Sequence, residues 1–365
     1  MDEQNHTFSR LNAYFDDPHH IIPMIMTVVT VLIILGNILV IAVVYRTKAF
    51  ANASGMFMTS LACADLGVGV FVSPLSIYPA YINYWPYGHR VCTMAAFFTE
   101  LFSCISVCSL ALIGIDRYLA VSQPLAYKTI MPPERARNVI LVKWFLLLLM
   151  CLLPVFGVVE VMYYADLYIC NVAWELEIGY ALGVFILVII PSFVAVFFCY
   201  FHIFRISHKA ARQIDQQRDS IRNNVQSKTI GSTSKRKGAM MSFIIIGSFC
   251  LCWTPWLALQ IQESVVFARS ESTGSVISGH PHLPQAHFVT MWLAISNSFF
   301  NCVIYFLSNK SFRKGAKRIF RTFGFMVVCK GRKSNRGSEA VIDIWSIAPT
   351  HRRGTLVVDN SVVVT

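Results

Sequence analysis

The sequence predicts an all-α membrane protein: a bundle of seven transmembrane helices, followed by a short amphipathic helix on the membrane surface. Three observations carry that prediction. The 365 residues are 55% hydrophobic and only 14% charged, with a mean hydropathy of +0.56, whereas soluble domains carry about 25% charged residues. Seven apolar runs succeed one another, each close to or above the roughly 20 residues that cross a bilayer as a helix. Lys and Arg collect in alternate gaps between those runs. One such run reads equally well as a buried core helix; seven in succession do not.

In chain order, residues 1–20 are polar and contain Asp2, Glu3, Asp16 and Asp17, so they read as a tail and not as a cleavable signal peptide. The first apolar run then serves as the targeting signal. Asn5-His6-Thr7 in the tail is a glycosylation sequon. The adjacent His19 and His20 read as a solvated pair. The apolar runs are Ile21 to Tyr45, Met56 to Ile82, Val91 to Ile115, Val139 to Val161, Ile178 to Phe204, Met240 to Val266 and Phe288 to Leu307. Pro74, Pro154, Pro191 and Pro255 fall inside them, where a membrane helix tolerates a kink.

Charge sets the orientation. Arg46 and Lys48 lie in the first gap, Lys128, Arg135 and Arg137 in the third, and nine Lys or Arg from Arg205 to Lys237 in the fifth. The second and sixth gaps hold Arg90 and Arg269, and the fourth none between Glu160 and Glu177. The N-terminus is therefore expected outside and the C-terminus inside a plasma membrane. Asn52-Ala53-Ser54 repeats the sequon on the inner side and is expected to be unmodified. The net charge of +12 raises nucleic acid as a partner, but the charge sits between membrane runs, which fits anionic lipid and a cytoplasmic protein partner better. Four regions result: an outer tail (1–20), the helical domain (21–307) with a long inner loop at about 205–237 whose middle is expected to be disordered, an amphipathic helix (308–328) and a tail expected to be disordered (329–365). Phe312, Ala316, Ile319, Phe320 and Phe323 supply the amphipathic periodicity, and Cys329 comes after it as a candidate for palmitoylation.

Of 11 cysteines, only Cys92 and Cys170 map to the outside, the one oxidising compartment, so they are expected to pair. Cys250-x-Cys252 raises a metal site, but both lie in an apolar run without nearby His; small packing residues are the simpler reading. His280, His282 and His287 in and beside the third outer loop raise a zinc or pH-sensing site, against which stands the loop's Gly/Ser content. The acids Glu160, Asp166, Glu175 and Glu177 in the second outer loop read as a solvated rim.

Two charged features stand out within the runs. Asp116-Arg117-Tyr118 ends the third run where it meets the cytoplasm. Asp65 is a carboxylate inside the second, where burial demands a partner. Asn37, Ser106, Asn297 and Asn301 are its candidates, either as a polar cluster that holds the bundle together or as a sodium site.

With these motifs in order, the chain resembles a rhodopsin-like (class A) G-protein-coupled receptor from about Ile21 to Phe325. Asn37, Leu61-Ala62-Cys63-Ala64-Asp65, Cys92, Asp116-Arg117-Tyr118, Trp144, Pro191, Cys252-Trp253-Thr254-Pro255 with Phe249 a turn below, and Asn301-Cys302-Val303-Ile304-Tyr305 match that family's signatures. Segments Trp292 to Ser298 and Tyr200 to Phe204 look closest to amine-like orphan receptors. The resemblance implies an extracellular ligand, a heterotrimeric G protein, and arrestin and receptor-kinase partners. It implies a helix 6 switch of Phe249, Trp253 and Pro255, and a G-protein switch of Asp116, Arg117, Tyr118 and Tyr305. By helical periodicity the ligand pocket is expected to be lined by Thr99, Ser103, Trp253, Trp256, Gln260, Met291 and Ile295, with Glu100 counted among the pocket residues. Glu100 is the acid at the same level, although one residue's turn of about 100° directs it elsewhere in the upper bundle. Thr99 stands where amine receptors place Asp and Ile295 where they place Tyr, which disfavours an ordinary monoamine ligand. Cys302 replaces the usual Pro and does not force a kink, which leaves open whether helix 7 has the family's local distortion. The usual helix 6 acid falls at Lys235, which repels Arg117 and predicts ligand-free signalling.

A transporter or light-driven pump is the alternative on helix number alone. The last run has no Lys for a retinal Schiff base, and the chain lacks the internal repeats of a transporter. No GxSxG, HExxH or phosphate loop is present, so no enzyme is expected.

Overall fold

In lipid a chain must satisfy its own backbone hydrogen bonds, so the apolar runs become helices. The computed structural model describes residues 18–174, 176–221, 244, 247–263, 265–266 and 284–333. Helix α1 spans Pro18–Arg46, α2 Ala53–Ile82, α3 Gly88–Ser122, α4 Pro133–Cys151, α5 Ile178–Ile221, α6 residues 247–263, α7 Pro284–Ser308 and α8 Lys310–Lys333. Among the described residues, α1, α2, α3, the first part of α5 and α7 are long and apolar enough to cross a membrane. The chain divides into two units, Met1–Ile319 and Phe320–Thr365. The first contains the seven-helix bundle; in the second, the described residues are helical to Lys333.

Local chemistry sets the helix ends. Asn52, the residue of the inner sequon, is the N-cap of α2: its side-chain oxygen accepts the Gly55 N–H at 3.0 Å. Gly55 is required beside it, because a Cβ there would lie 1.9 Å from the Phe50 carbonyl oxygen. Asn309 caps α8, accepting from the N–H groups of Ser311 and Phe312 at 2.9 and 3.1 Å. Ahead of Pro74 and Pro191, α2 and α5 each widen into one π turn, Val68–Val72 and Phe185–Ile189. The Val68 carbonyl takes the Ser73 N–H and, at 3.3 Å, the Ser73 hydroxyl, so the turn before the proline stays bonded.

The fourth run departs from expectation. α4 stops at Cys151, although the apolar pattern continues to Val161. Pro154 lacks the N–H to continue the ladder, the chain turns through Leu152–Phe156, and Gly157 adopts φ +72°. The chain then forms a β-hairpin, β1 Val161–Tyr164 against β2 Ile169–Val172, antiparallel with Tyr163 opposite Cys170. Its residues Leu167, Ile169 and Val172 are buried. The second outer loop is thus a packed lid, not merely a solvated acidic rim. Helix α7 is α-helical throughout Pro284–Ser308, with no break at Cys302.

The interior has two main apolar layers. Toward the hairpin end, Phe97, Phe102, Ile169, Trp256 and Trp292 pack together. Toward the other end, Phe57, Leu61, Phe249, Tyr305 and Phe312 do so. Polar groups are placed between and beyond these layers.

Candidate functional site

The first part of the site is a cavity of about 470 Å³ bounded by α3, α5, α6, α7 and the strand β2. Thr99, Ser103, Trp253, Trp256, Gln260 and Met291 line it. Ile295 does not; it borders a small adjoining space of about 20 Å³ with Ser106 and Ser298. Glu100 lines the large cavity as well, although it is one residue's turn from Thr99. The cavity lies off the bundle axis toward α5, and that is the side to which one residue's turn carries Glu100. Asn171 and Trp174, from the hairpin and the turn after it, also line the wall. Leu182, Ile186 and Ile261 line it too and are more than half exposed on the bundle exterior, so α5 and α6 side chains alone separate the cavity from lipid.

At its base Trp253 carries the cavity downward. Its ring lies 5.9 Å from Trp256 and 6.2 Å from Phe249, and Phe249 stands 5.3 Å from Phe193 of α5. Phe249 is fully packed in the layer that contains Tyr305.

The second part is the mid-bundle carboxylate. Asp65 is completely buried. Its Oδ1 accepts from the Ser106 hydroxyl at 3.0 Å and its Oδ2 from the Asn301 amide at 2.9 Å. Asn37 and Asn297 are buried nearby but do not bond Asp65: the Asn37 amide donates to the carbonyls of Ile33 and Ser298 at 2.9 and 3.0 Å. That geometry ties α1 to α7, while Asp65 joins α2, α3 and α7.

The third part lies at the opposite end from the hairpin. Arg117 donates to Asp116 Oδ2 through Nε at 3.1 Å and approaches it through Nη2 at 2.9 Å. Asp116 also accepts the Ser54 hydroxyl at 2.6 Å and the Tyr127 phenol at 2.5 Å. Ser54 and Tyr127 do not stand out in the sequence, since neither is charged and their approach to Asp116 is set by tertiary packing. Burial and the bond to Asp116 raise the Tyr127 phenol above its ordinary value. Tyr118 turns away from this cluster and sets its ring edge-on to Phe198 and His202, each at 5.9 Å. Tyr305 is buried 6.0 Å from Phe312 and makes no hydrogen bond to Arg117. Trp144 and Lys143 of α4 both donate to the Ser60 hydroxyl, at 3.0 and 2.9 Å.

At the hairpin end, Cys92 and Cys170 form a disulfide with Cα atoms 5.2 Å apart, packed with Trp85 and Tyr163. Burial pushes the Tyr163 phenol up to about 12. His287 is buried between two acids, with Nδ1 2.8 Å from Asp166 of the hairpin loop and Nε2 2.8 Å from Glu263 of α6. The second contact is an ion pair without hydrogen-bond geometry. Asn5, Lys235, His280 and His282 lie outside the described residues, and of Cys329 only the helical backbone is described.

Comparison with known proteins agrees with this arrangement. The family described as the 7 transmembrane receptor (rhodopsin family) matches residues 36–305. G-protein coupled receptor 52 of Mus musculus is 32% identical over 314 residues, spanning 84% of this chain and 82% of that receptor. Probable G-protein coupled receptor 21 of Homo sapiens is 33% identical over 306 residues, 81% of this chain and 82% of that one. Squid rhodopsin superposes with a TM-score of 0.69 at 22% identity, covering 85% of this chain and 87% of that one, a likeness of fold.

Proposed function

The chain belongs to the rhodopsin family of seven-transmembrane receptors, and from that premise we propose that its cavity takes an apolar extracellular ligand and reports it to the opposite end of the bundle. It is a multi-pass membrane protein and a G-protein-coupled receptor; nothing in the comparisons favours a transporter or pump. The observation that carries the proposal is the unbroken ring path from the cavity wall, Trp256 to Trp253 to Phe249, into the layer that contains Tyr305. Ligand free energy does work only where it differs between two bundle arrangements, and a wall shared by α5, α6 and α7 is where such a difference arises. The hairpin end faces outward and the Asp116 end faces the cytoplasm, in keeping with the distribution of Lys and Arg. Thr99 in place of an acid supports a ligand other than an ordinary monoamine. Asp65 with Ser106 and Asn301 is a candidate seat for a sodium ion. Asn5 is the glycosylated residue, Cys329 the acylated one, and arrestin and a receptor kinase are the further partners.

The same reading includes ligand-free signalling, because Lys235 stands where an acid restrains Arg117 in relatives of this design. Nucleotide exchange on purified G proteins of each class tests it, with wild type and Lys235→Glu at matched amounts in nanodiscs. Wild type is expected to drive exchange without ligand, and Lys235→Glu to reduce it. A silent wild type, or a mutant no quieter than wild type, would refute the basal-activity reading; solute flux with no exchange would overturn the receptor role itself.

A further inference from the structure

The side wall of the cavity contains a cluster that the signalling path does not use. Glu100 and Cys104 are four residues apart on α3, so they share a helix face, and Cys151 is the last residue of α4. One ligand atom from each, a carboxylate oxygen and two sulfurs, all lie within 4.8 Å of one another. Glu100 and Cys104 are each 4% exposed and Cys151 is fully buried. Neither oxygen of Glu100 makes a hydrogen bond of good geometry, and the Tyr180 phenol is the group that interacts with the carboxyl. A buried carboxylate left unbonded is costly, and such groups in native structures are held protonated, paired, or used to coordinate a cation. The convergence of two thiols on this carboxyl, all three buried, is the arrangement that points to a bound cation.

We propose that Glu100, Cys104 and Cys151 form a zinc site in the cavity wall. Two sulfurs and one carboxylate suit Zn²⁺, which takes Cys and Glu ligands tetrahedrally, whereas Ca²⁺ and Mg²⁺ require oxygen shells. Ligand bonds of about 2.0–2.3 Å put tetrahedral ligand atoms roughly 3.5–3.8 Å apart, so side-chain rotations of the order of 1 Å close the site. Binding replaces the two S–H protons and the carboxyl proton with two Zn–S bonds and one Zn–O bond, releasing three protons with no change of oxidation state. The charge balances as +2 for the ion against −1 for each of three ligands, so the loaded site carries −1 where the empty one, with its carboxyl and thiols protonated, is neutral. Glu100 and Cys104 border the cavity, which leaves the fourth tetrahedral position to water or to a lone-pair donor of the occupant. The ion pins α3 to α4 beside the ligand.

The experiment uses the full chain in nanodiscs, stripped with chelator and kept reduced, with Zn²⁺ itself as the probe. Titration calorimetry in two buffers of different ionisation enthalpy is expected to give one ion per receptor and release of close to three protons. Glu100→Gln, Cys104→Ser and Cys151→Ser each weaken binding by about tenfold or more, while Cys250→Ser, in α6, leaves it unchanged. Co²⁺ in the wild type is expected to show thiolate-to-metal charge-transfer absorption, which decides the matter even where a variant fails to fold. Absence of that band, zinc binding indifferent to all three substitutions, or a Cys104–Cys151 disulfide found by mass mapping of the native receptor would each overturn the proposal. Activity of the receptor enters none of these readouts, so they stand apart from the test of ligand-free signalling.

Discussion

Replacing His287 with Ala tests how the hairpin is held over the cavity. His287 is the junction of three elements: Asp166 reaches it from the hairpin loop, Glu263 from α6, and His287 itself opens α7. Both ring nitrogens stand 2.8 Å from carboxylate oxygens, an arrangement in which a ring lacking either proton would turn a lone pair toward an anion. The Gln260 amide, which lines the cavity, donates to Glu263 at 3.3 Å, so the junction extends to the ligand wall. Deleting one member of a buried ion pair costs about 3–5 kcal/mol, because the other charge is left uncompensated. Asp166 and Glu263 keep 17% and 9% side-chain exposure, so water screens part of that penalty and about 2 kcal/mol is the better figure. At roughly 2–4 °C per kcal/mol, His287→Ala should lower the thermal midpoint of the purified receptor by about 4–8 °C. A double-mutant cycle with Asp166→Asn should recover a coupling of about 1 kcal/mol or more, since the two side chains touch. A loss under about 1 °C, or losses that simply add, would refute the account of His287 as the tie between hairpin and helices.

The buried carboxylates give two further expected outcomes. If Asp65 seats sodium, exchanging choline chloride for sodium chloride should raise the thermal midpoint of wild type, by about 1.4 kcal/mol at ten times the dissociation constant; Asp65→Asn and Ser106→Ala should lose the shift, and equal shifts in all three would exclude the site. Tyr127→Phe removes a donor from Asp116, so the carboxylate depends more on Arg117, and ligand-free nucleotide exchange should fall by roughly three- to tenfold, the equivalent of about 1 kcal/mol; a rise would contradict this. Because burial and Asp116 raise the Tyr127 phenol, its donated bond contributes fully below about pH 10 and fades only as pH climbs through the raised value. Exchange attributable to this residue should therefore be flat across neutral pH.

The fold was legible because lipid imposes one rule on every span, and the runs display it. Asp65 and the Asp116-Arg117-Tyr118 triplet were legible for the same reason: a charge in an apolar segment is conspicuous. Their partners were only partly so. Ser106 and Asn301 were read as neighbours of Asp65 and do bond it, but Asn37 and Asn297 were equally plausible by residue type and do not. An amide can satisfy itself on any carbonyl within reach, and Asn37 finds those of Ile33 and Ser298. The end of α4 was hidden because apolar composition continues past Pro154 while the backbone cannot. The Val161 to Tyr164 and Ile169 to Val172 segments did carry a strand signal of β-branched and aromatic residues, but they are four residues each and lie just past the expected membrane run, in a stretch read as a solvated loop. His287 was considered with its loop neighbours, and nothing local marks Asp166 and Glu263 as its partners across the fold.

The latch at Asp116 shows why the charge pair alone misleads. With Arg117 as its sole partner, releasing that side chain would leave a bare buried carboxylate and cost several kcal/mol. Asp116 instead keeps two short hydroxyl donors, Ser54 at 2.6 Å and Tyr127 at 2.5 Å, when Arg117 departs. Hydrogen bonds to a charged acceptor contribute about 1.5–3 kcal/mol each, so together they carry most of the carboxylate's compensation. Arg117 itself is 37% exposed, and water can take up its guanidinium. The pair therefore separates at a cost nearer to that of a surface ion pair, about 0–1 kcal/mol, than to that of a buried one. Looseness at this end is built from the donors on α2 and after α3, independently of what faces Arg117 from α6. That is why losing Tyr127 should tighten the latch: the carboxylate then needs Arg117 more.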